Sequence, residues 1–227
     1  MIAAAEIGPG KMDSKRTRLA NVVSTIWAGY GLSVIAIALL ACSTYFFIAA
    51  QRFRARMNAN NPDLFRTGQI VDVLAVIDGD EILIGDTDGN STTKLRLLGI
   101  KSFNPTASDP LLSEYGKICF DYLKAVTVDQ RARLEVAPKR RDNEGRLLGT
   151  LYLRGPKRAY NVDLADELLR NGYTLVYTRF DFERMGPYLR TQDEAKREKA
   201  GFWSNEGIAA RATSLMTWWE EQKKRDG

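Results

Sequence analysis

The sequence predicts an α+β protein: a small β-barrel braced by helices and attached to one N-terminal membrane-spanning helix. Two observations support this prediction. Short runs in which apolar and polar residues alternate dominate the middle of the chain, with helical segments between and after them. A long uncharged segment near the N-terminus precedes all of these runs. The 227 residues are enough for one medium-sized domain and an appendage.

The uncharged segment lies between Arg18 and Arg52, and its apolar centre exceeds the roughly 20 residues needed to cross a bilayer. Aromatic residues lie near both of its ends, as is typical of residues at the membrane–water interface. We therefore predict an N-terminal tail at 1–21 and a transmembrane helix at 22–50. A signal peptide is the alternative, because "LLAC" at 39–42 resembles a lipoprotein cleavage site.

Basic residues flank the predicted helix on both sides, four of them between positions 11 and 18 and three between 52 and 56. The positive-inside rule therefore assigns no orientation to a single-pass protein of this kind. A bacterial inner membrane and a mitochondrial inner membrane both fit the sequence. The polar residues that follow predict a linker at 51–67.

Five alternating runs predict the strands of the barrel, with turns rich in Gly, Asn and Asp between them. Helical segments are predicted at 113–128, 162–171 and 188–200, the last of them ended by a glycine. The stretch "DTDGN" at 86–90 predicts a hairpin turn. The five runs are "QIVDVLAVI" at 69–77, "DEILIGD" at 80–86, "TKLRLLGI" at 93–100, "ARLEVAP" at 132–138 and "GTLYLRG" at 149–155.

The composition excludes several kinds of catalytic site. The sequence has no histidine, which excludes Ser-His-Asp triads, His-dependent nucleases and His-ligated zinc. The two cysteines, Cys42 and Cys119, do not predict a disulfide, because the first lies in the predicted membrane segment. The first 63 residues contain seven basic and three acidic residues, which leaves 26 basic and 25 acidic residues for the rest. A nearly neutral soluble part argues against nucleic-acid binding.

Six motifs follow one another along residues 68–204: "VIDGD", "LRLLGI", "YGKICFDYL", "DNEGRLLGTLYL", "ELLRNGYTLVY" and "EAKREKAGFWS". In order and spacing they resemble the staphylococcal nuclease family. The resemblance implies a five-stranded OB-type barrel with three helices. It also implies a site that cleaves DNA and RNA with calcium, in which two aspartates hold the cation, a glutamate activates water and two arginines bind phosphate.

The resemblance carries over to only some of these positions. Asp80, the second acid of "VIDGD", matches the first calcium-binding aspartate, and Arg96 and Arg146 match the phosphate-binding arginines. Lys101 replaces the second calcium-binding aspartate, and Asn104 replaces the general-base glutamate. Because an ammonium group repels a metal ion and an amide is not a useful base, we expect a degenerate site.

Two alternatives remain open for the acids and arginines. Glu81 follows Asp80 directly, so a rearranged acidic site that also uses Asp78 is a hypothesis, although neighbouring side chains in a strand point to opposite faces. Arg96 and Arg146 either still bind an anion or have become ion-pair partners of nearby acids such as Asp80.

Nucleotide binding is not expected, because the tyrosines that contact the nucleotide in family members are replaced by Glu144, Thr178 and Phe180. The basic run "PKRRDNEGR" at 138–146 is expected to form a solvated hairpin tip, and contact with phosphate or lipid headgroups is the alternative.

Beyond residue 204, apolar residues at helical spacing predict an added amphipathic helix at 205–227. Two arrangements of this helix are compatible with the sequence. The helix either packs on the barrel or presents Trp218 and Trp219 to a partner protein or to the membrane interface.

Three hypotheses about function follow. The favoured one is a non-catalytic, membrane-anchored pseudonuclease that acts as an accessory subunit of a larger membrane complex, respiratory, photosynthetic or other. Such a subunit needs no cofactor and contacts other subunits through its transmembrane and C-terminal helices. The alternatives are a membrane-tethered nuclease that requires Ca²⁺ and an OB-type module that binds nucleic acid without cleaving it.

Overall fold

The computed structural model describes residues 33–52, 61–157 and 159–226. The predicted tail at 1–21 and the first part of the predicted transmembrane helix, 22–32, lie outside these residues. Helix α1, Ser33–Arg52, is long and apolar enough to cross a membrane, with a mean hydropathy of 2.2. A signal sequence near the N-terminus has the same properties. Helix α1 belongs to one compact unit of the chain, and all elements described below belong to a second.

A closed five-stranded barrel forms the centre of the second unit, which confirms the predicted fold class. The strands pair in the order β3-β2-β1-β5-β6, and a parallel pairing between β3 and β6 closes the barrel. The turn between β2 and β3 contains the predicted "DTDGN". The barrel strands are β1 (Ile70–Asp78), β2 (Glu81–Asp86), β3 (Thr92–Leu97), β5 (Arg131–Arg141) and β6 (Leu147–Arg154).

Three short strands complete the fold, and the sequence pattern did not predict them. Strands of three or four residues are too short to show a clear alternation. The run at 93–100, predicted as one strand, is divided in two because Gly99 adopts a φ of +81°, which favours glycine. The short strands are β4 (Ile100–Ser102), β7 (Tyr160–Asp163) and β8 (Thr174–Val176), with β4 paired to β8 and β7 to the edge of β6.

Helices cover the barrel at the predicted places, with ends shifted by up to three residues. Asp109 and Asp163 begin the first two of these helices, because each carboxylate accepts hydrogen bonds from two backbone amides of the first turn. The helices are α2 (Pro110–Thr127), α3 (Leu164–Arg170), α4 (Met185–Arg197) and α5 (Glu206–Asp226), with short 3₁₀ helices at Pro62–Leu64 and Gly201–Ser204.

Two clusters of buried apolar residues hold this unit together. The first fills the barrel and the space under α2 and α3, and it includes Phe65, so residues 61–67 of the predicted linker pack as part of the barrel unit. The second joins α5 to the barrel through Ile208, Ala212 and Trp219. The predicted C-terminal helix is therefore confirmed, and it packs on the barrel. Trp219 is 6% exposed, whereas Trp218 is 47% exposed.

Candidate functional site

Asp80 lies in the tight turn between β1 and β2, and its side chain is buried at 2% exposure. The turn lies close against the end of β4, because a Cβ atom at Gly79 would lie 2.6 Å from the Cβ atom of Ser102. Asp80 Oδ2 accepts a hydrogen bond from the Ser102 amide at 3.0 Å. The same oxygen lies 3.0 Å from Arg96 Nη2 and 3.2 Å from Lys101 Nζ. One carboxylate oxygen therefore contacts two cationic side chains.

Arg96 is held by the backbone around this turn as well as by the carboxylate. Its Nη1 donates to the carbonyl oxygens of Asp80 at 3.0 Å and Leu97 at 3.2 Å. Its Nη2 donates to the carbonyl oxygen of Ile100 at 2.8 Å. These bonds fix the buried guanidinium and join β2, β3 and β4 at this corner of the barrel. A phosphate group would have to compete with these partners for both terminal nitrogens.

Lys101 reaches Asp80 from β4, whose pairing with β8 places Lys101 opposite Leu175. Its Nζ lies at ion-pair distance from the oxygen that would bind calcium in the family pattern. A calcium ion needs several oxygen ligands at about 2.4 Å and would meet an ammonium group here. The residues present at this position therefore do not fit a calcium ion.

Arg146 and Glu81, the first residue of β2, form a second ion pair. Arg146 Nη1 lies 2.8 Å from Glu81 Oε2 and 3.2 Å from Glu144 Oε2, and its Nε donates to Asp142 Oδ2 at 2.6 Å. Burial would raise the pKa of Asp142, but its hydrogen bonds from Arg146 and from the Glu144 amide lower it below the ordinary value. Arg146 is thus surrounded by three carboxylates, which reduces its attraction for another anion.

The three acids of the hypothetical rearranged site have different partners. Asp80 pairs with Arg96 and Lys101, whereas Glu81 pairs with Arg146. The Asp78 carboxylate accepts a hydrogen bond from the Gly79 amide at 2.7 Å, and burial and the nearby charge of Asp80 raise its pKa. Within residues 33–52, 61–157 and 159–226, no group of three or more His, Cys, Asp or Glu residues could hold a metal ion.

Asn104 uses its side chain within its own loop. Its Oδ1 accepts hydrogen bonds from the amide of Thr106 at 2.7 Å and from the hydroxyl of Thr106 at 2.8 Å. The loop is also fixed to α2, because the Ser113 hydroxyl donates to the Pro105 carbonyl at 2.6 Å. The side chain at the family's general-base position therefore serves as a turn-forming group.

A cleft of about 900 Å³ opens beside both ion pairs and contains Arg96 and Arg146 in its wall. Phe180 contributes an exposed ring to the wall, at 57% exposure, whereas Thr178 is buried and does not line the cleft. The charged residues of the wall are evenly divided: Arg96, Lys139, Arg146, Arg179 and Arg184 are basic, and Glu135, Asp142, Glu144, Asp181 and Glu183 are acidic.

A polar network that reaches the cleft through Arg184 and Tyr188 was missed by the sequence analysis. The Tyr188 hydroxyl donates to Asp163 Oδ2 at 2.9 Å, and Arg184 lies 3.2 Å from the same oxygen. Arg184 also donates to the Tyr152 hydroxyl at 2.6 Å. Burial raises the pKa of Asp163 and that of Tyr188. The sequence offered one signal for Asp163, its position directly before the helical run "LADELL". An aspartate there predicts the start of a helix.

Comparison with known proteins finds similarity to the staphylococcal nuclease family and to two thermonucleases. Residues 94–205 match the model of the family described as "Staphylococcal nuclease homologue". A thermonuclease of Staphylococcus hyicus is 28% identical over 177 residues, covering 77% of this chain and 96% of the relative. A thermonuclease of Staphylococcus intermedius is 31% identical over 131 residues, covering 58% of this chain and 74% of the relative.

Proposed function

Because this chain belongs to the staphylococcal nuclease family, we propose that it is a non-catalytic member of that family, anchored in a membrane by α1. The observation that carries the proposal is the 3.2 Å contact between Lys101 Nζ and Asp80 Oδ2. The carboxylate that would bind the catalytic cation is neutralised by Lys101 and by Arg96. Without a metal ion at this place, the phosphate under attack lacks the metal that would polarise it and stabilise the charge of the transition state.

The position of the general base supports the same proposal. Hydrolysis of a phosphodiester needs a group that takes a proton from the attacking water. The Asn104 amide oxygen lacks the basicity for this step, and it already accepts two hydrogen bonds from Thr106. This chain therefore lacks the family's general base as well as its second metal ligand.

In place of catalysis, we propose that the barrel is a docking module in an accessory subunit of a larger membrane complex, respiratory, photosynthetic or other. Two large aromatic side chains, Trp218 and Phe180, remain about half exposed on the barrel unit. Exposed aromatic residues of this kind are enriched at protein interfaces. All of α5, which carries Trp218, lies beyond the residues that match the family model.

A membrane-tethered, calcium-dependent nuclease is the second candidate. It is favoured by the cleft that contains both Arg96 and Arg146, and by relatives that are themselves thermonucleases. A module that binds nucleic acid without cleaving it is less well supported, because the cleft has as many acidic as basic residues in its wall.

Nuclease assays on the full chain in detergent test the proposed function. We expect no cleavage of single-stranded DNA, double-stranded DNA or RNA above the buffer control, with or without calcium. The double substitution Lys101→Asp, Asn104→Glu restores the family residues, and any activity gained by it would locate the loss at these two positions. Calcium-dependent cleavage by the unaltered protein that disappears in Asp80→Ala would contradict the proposal.

A further inference from the structure

The segment that leads into β1 is fixed against β5. The Thr67 hydroxyl donates to the Val136 carbonyl at 3.4 Å and accepts a hydrogen bond from the Val136 amide at 3.0 Å. The Gly68 amide donates to the Leu134 carbonyl at 2.8 Å. The place where the chain enters the barrel is therefore defined by hydrogen bonds that join it to β5.

Two arginines near the end of β5 extend this contact towards the hairpin tip. Arg140 Nη2 donates to the carbonyl oxygens of Pro62 at 2.9 Å and Phe65 at 2.7 Å. Arg141 Nη2 lies 2.5 Å from Asp63 Oδ2. The basic run that the sequence predicted as a solvated hairpin tip thus lies next to the start of the barrel.

Four basic residues lie in these two segments, and we name Arg66, Lys139, Arg140 and Arg141 the basic face; Lys139 also lies in the wall of the cleft. Arg66, Lys139 and Arg141 are exposed. Leu64, in the same segment as Arg66, is 54% exposed. An exposed leucine among basic residues is typical of surfaces that meet lipid headgroups.

Basic residues outnumber acidic residues in the two described segments that meet here. Residues 61–66 and 138–141 together contain the four residues of the basic face and one acidic residue, Asp63. A local excess of positive charge favours an anionic partner at this part of the surface.

The length of the connection limits how far this face lies from a membrane that contains α1. Eight residues, 53–60, connect Arg52 to Asn61, and eight extended residues reach about 30 Å at most. Anionic lipids attract basic residues near their surface, and the attraction decays over about 10 Å at moderate salt. The connection therefore permits the basic face to contact that membrane, but a reach about three times the decay length does not by itself hold the face within this range.

We propose that the basic face binds the anionic headgroup surface of the membrane in which α1 is inserted. This inference rests on the anchoring proposed above and adds what orients the barrel on its tether. The surface of the barrel unit that carries the basic face contacts lipid, and its other surfaces are available to partner proteins.

The test uses the full chain reconstituted into vesicles of phosphatidylcholine alone or mixed with phosphatidylglycerol. In a Cys42→Ser background, a donor dye on Asn143→Cys reports energy transfer to a labelled headgroup, because Asn143 is exposed beside Arg141 and Cys119 is buried. We expect higher transfer in the vesicles that contain phosphatidylglycerol, and loss of this difference at high salt.

Two pairs of substitutions distinguish the basic face from charge in general. Arg66→Gln with Lys139→Gln is expected to weaken lipid contact roughly 25-fold, since each basic residue near an anionic surface contributes about 5-fold. Lys117→Gln with Lys124→Gln removes the same charge from exposed positions on α2 and is expected to change nothing.

Equal transfer in both kinds of vesicle, or an equal loss in the α2 pair, would overturn the proposal. Loss of the phosphatidylglycerol-dependent transfer on addition of an equimolar single-stranded oligonucleotide would also overturn it and identify a nucleic-acid surface. Alkaline carbonate extraction tests the membrane insertion of α1 independently of the basic face, because it removes proteins that are bound only at the membrane surface. A chain that is extracted but still shows salt-dependent transfer would contradict insertion of α1 and support the basic face.

Discussion

Asp80→Ala is expected to lower the free energy of unfolding by about 3 kcal/mol, because it breaks a buried ion pair. The variant leaves the buried Arg96 guanidinium without the carboxylate that lies 3.0 Å from its Nη2. It also removes the acceptor of the Ser102 amide, which is buried with it. Neither group gains water in exchange, so the cost is not recovered. Chemical denaturation of the two proteins measures the difference.

The sign of this effect separates a structural carboxylate from a metal ligand. If Asp80 served only to hold a metal ion, removing its carboxylate from the metal-free protein would not lower the free energy of unfolding. Asp88→Ala is the matched control, since Asp88 is exposed in the turn after β2, and we expect a change below about 0.5 kcal/mol. An Asp80→Ala variant as stable as the unaltered protein, or more stable, would contradict the structural role.

Trp219→Ala is expected to lower the free energy of unfolding by about 3 to 4 kcal/mol, as is usual when a large buried aromatic side chain is removed. Trp219 packs edge-on against Tyr177 with 4.9 Å between ring centroids. It lies in the same buried cluster as Ile208 and Ala212 of α5. The substitution leaves a cavity between α5 and the barrel, and thermal or chemical denaturation reports its cost.

Trp218→Ala is the control for this effect, because it removes the same side chain from the next position of the same helix. Trp218 is 47% exposed, so we expect a loss below about 1 kcal/mol. The expected difference between the two variants follows from burial alone. Similar losses for both would show that α5 does not pack through Trp219.

The barrel was predictable from the sequence because its long strands alternate and end at turn residues. β1 and β6 have eight or more residues, enough for the alternation to be recognised. β4 and β8 have three residues each and are defined by their pairing, which the sequence pattern does not contain. Gly99 has the positive φ that separates β3 from β4, and a glycine within an alternating run was the available signal.

The identities of the site residues were predictable from the motifs, but their contacts were not. The motifs placed Lys101 at a cation-binding position. The lysine side chain is long and flexible, so the sequence does not predict that its Nζ reaches Asp80. Asp142 and Glu144 lie within four residues of Arg146, whereas its third partner, Glu81, comes from another strand. The contact between Arg140 and Pro62 joins residues 78 positions apart, and only the folded chain brings them together.

Calcium binding by the full chain, measured by isothermal titration calorimetry, tests most directly whether Lys101 has replaced the catalytic cation. We predict no saturable binding by the unaltered protein, and binding by Lys101→Asp, in which two carboxylates face each other. Lys157→Asp introduces the same charge change at an exposed lysine in the turn between β6 and β7, and we predict no binding there. A saturable calcium site in the unaltered protein that Asp80→Ala abolishes would contradict the structural role of Asp80 and Lys101.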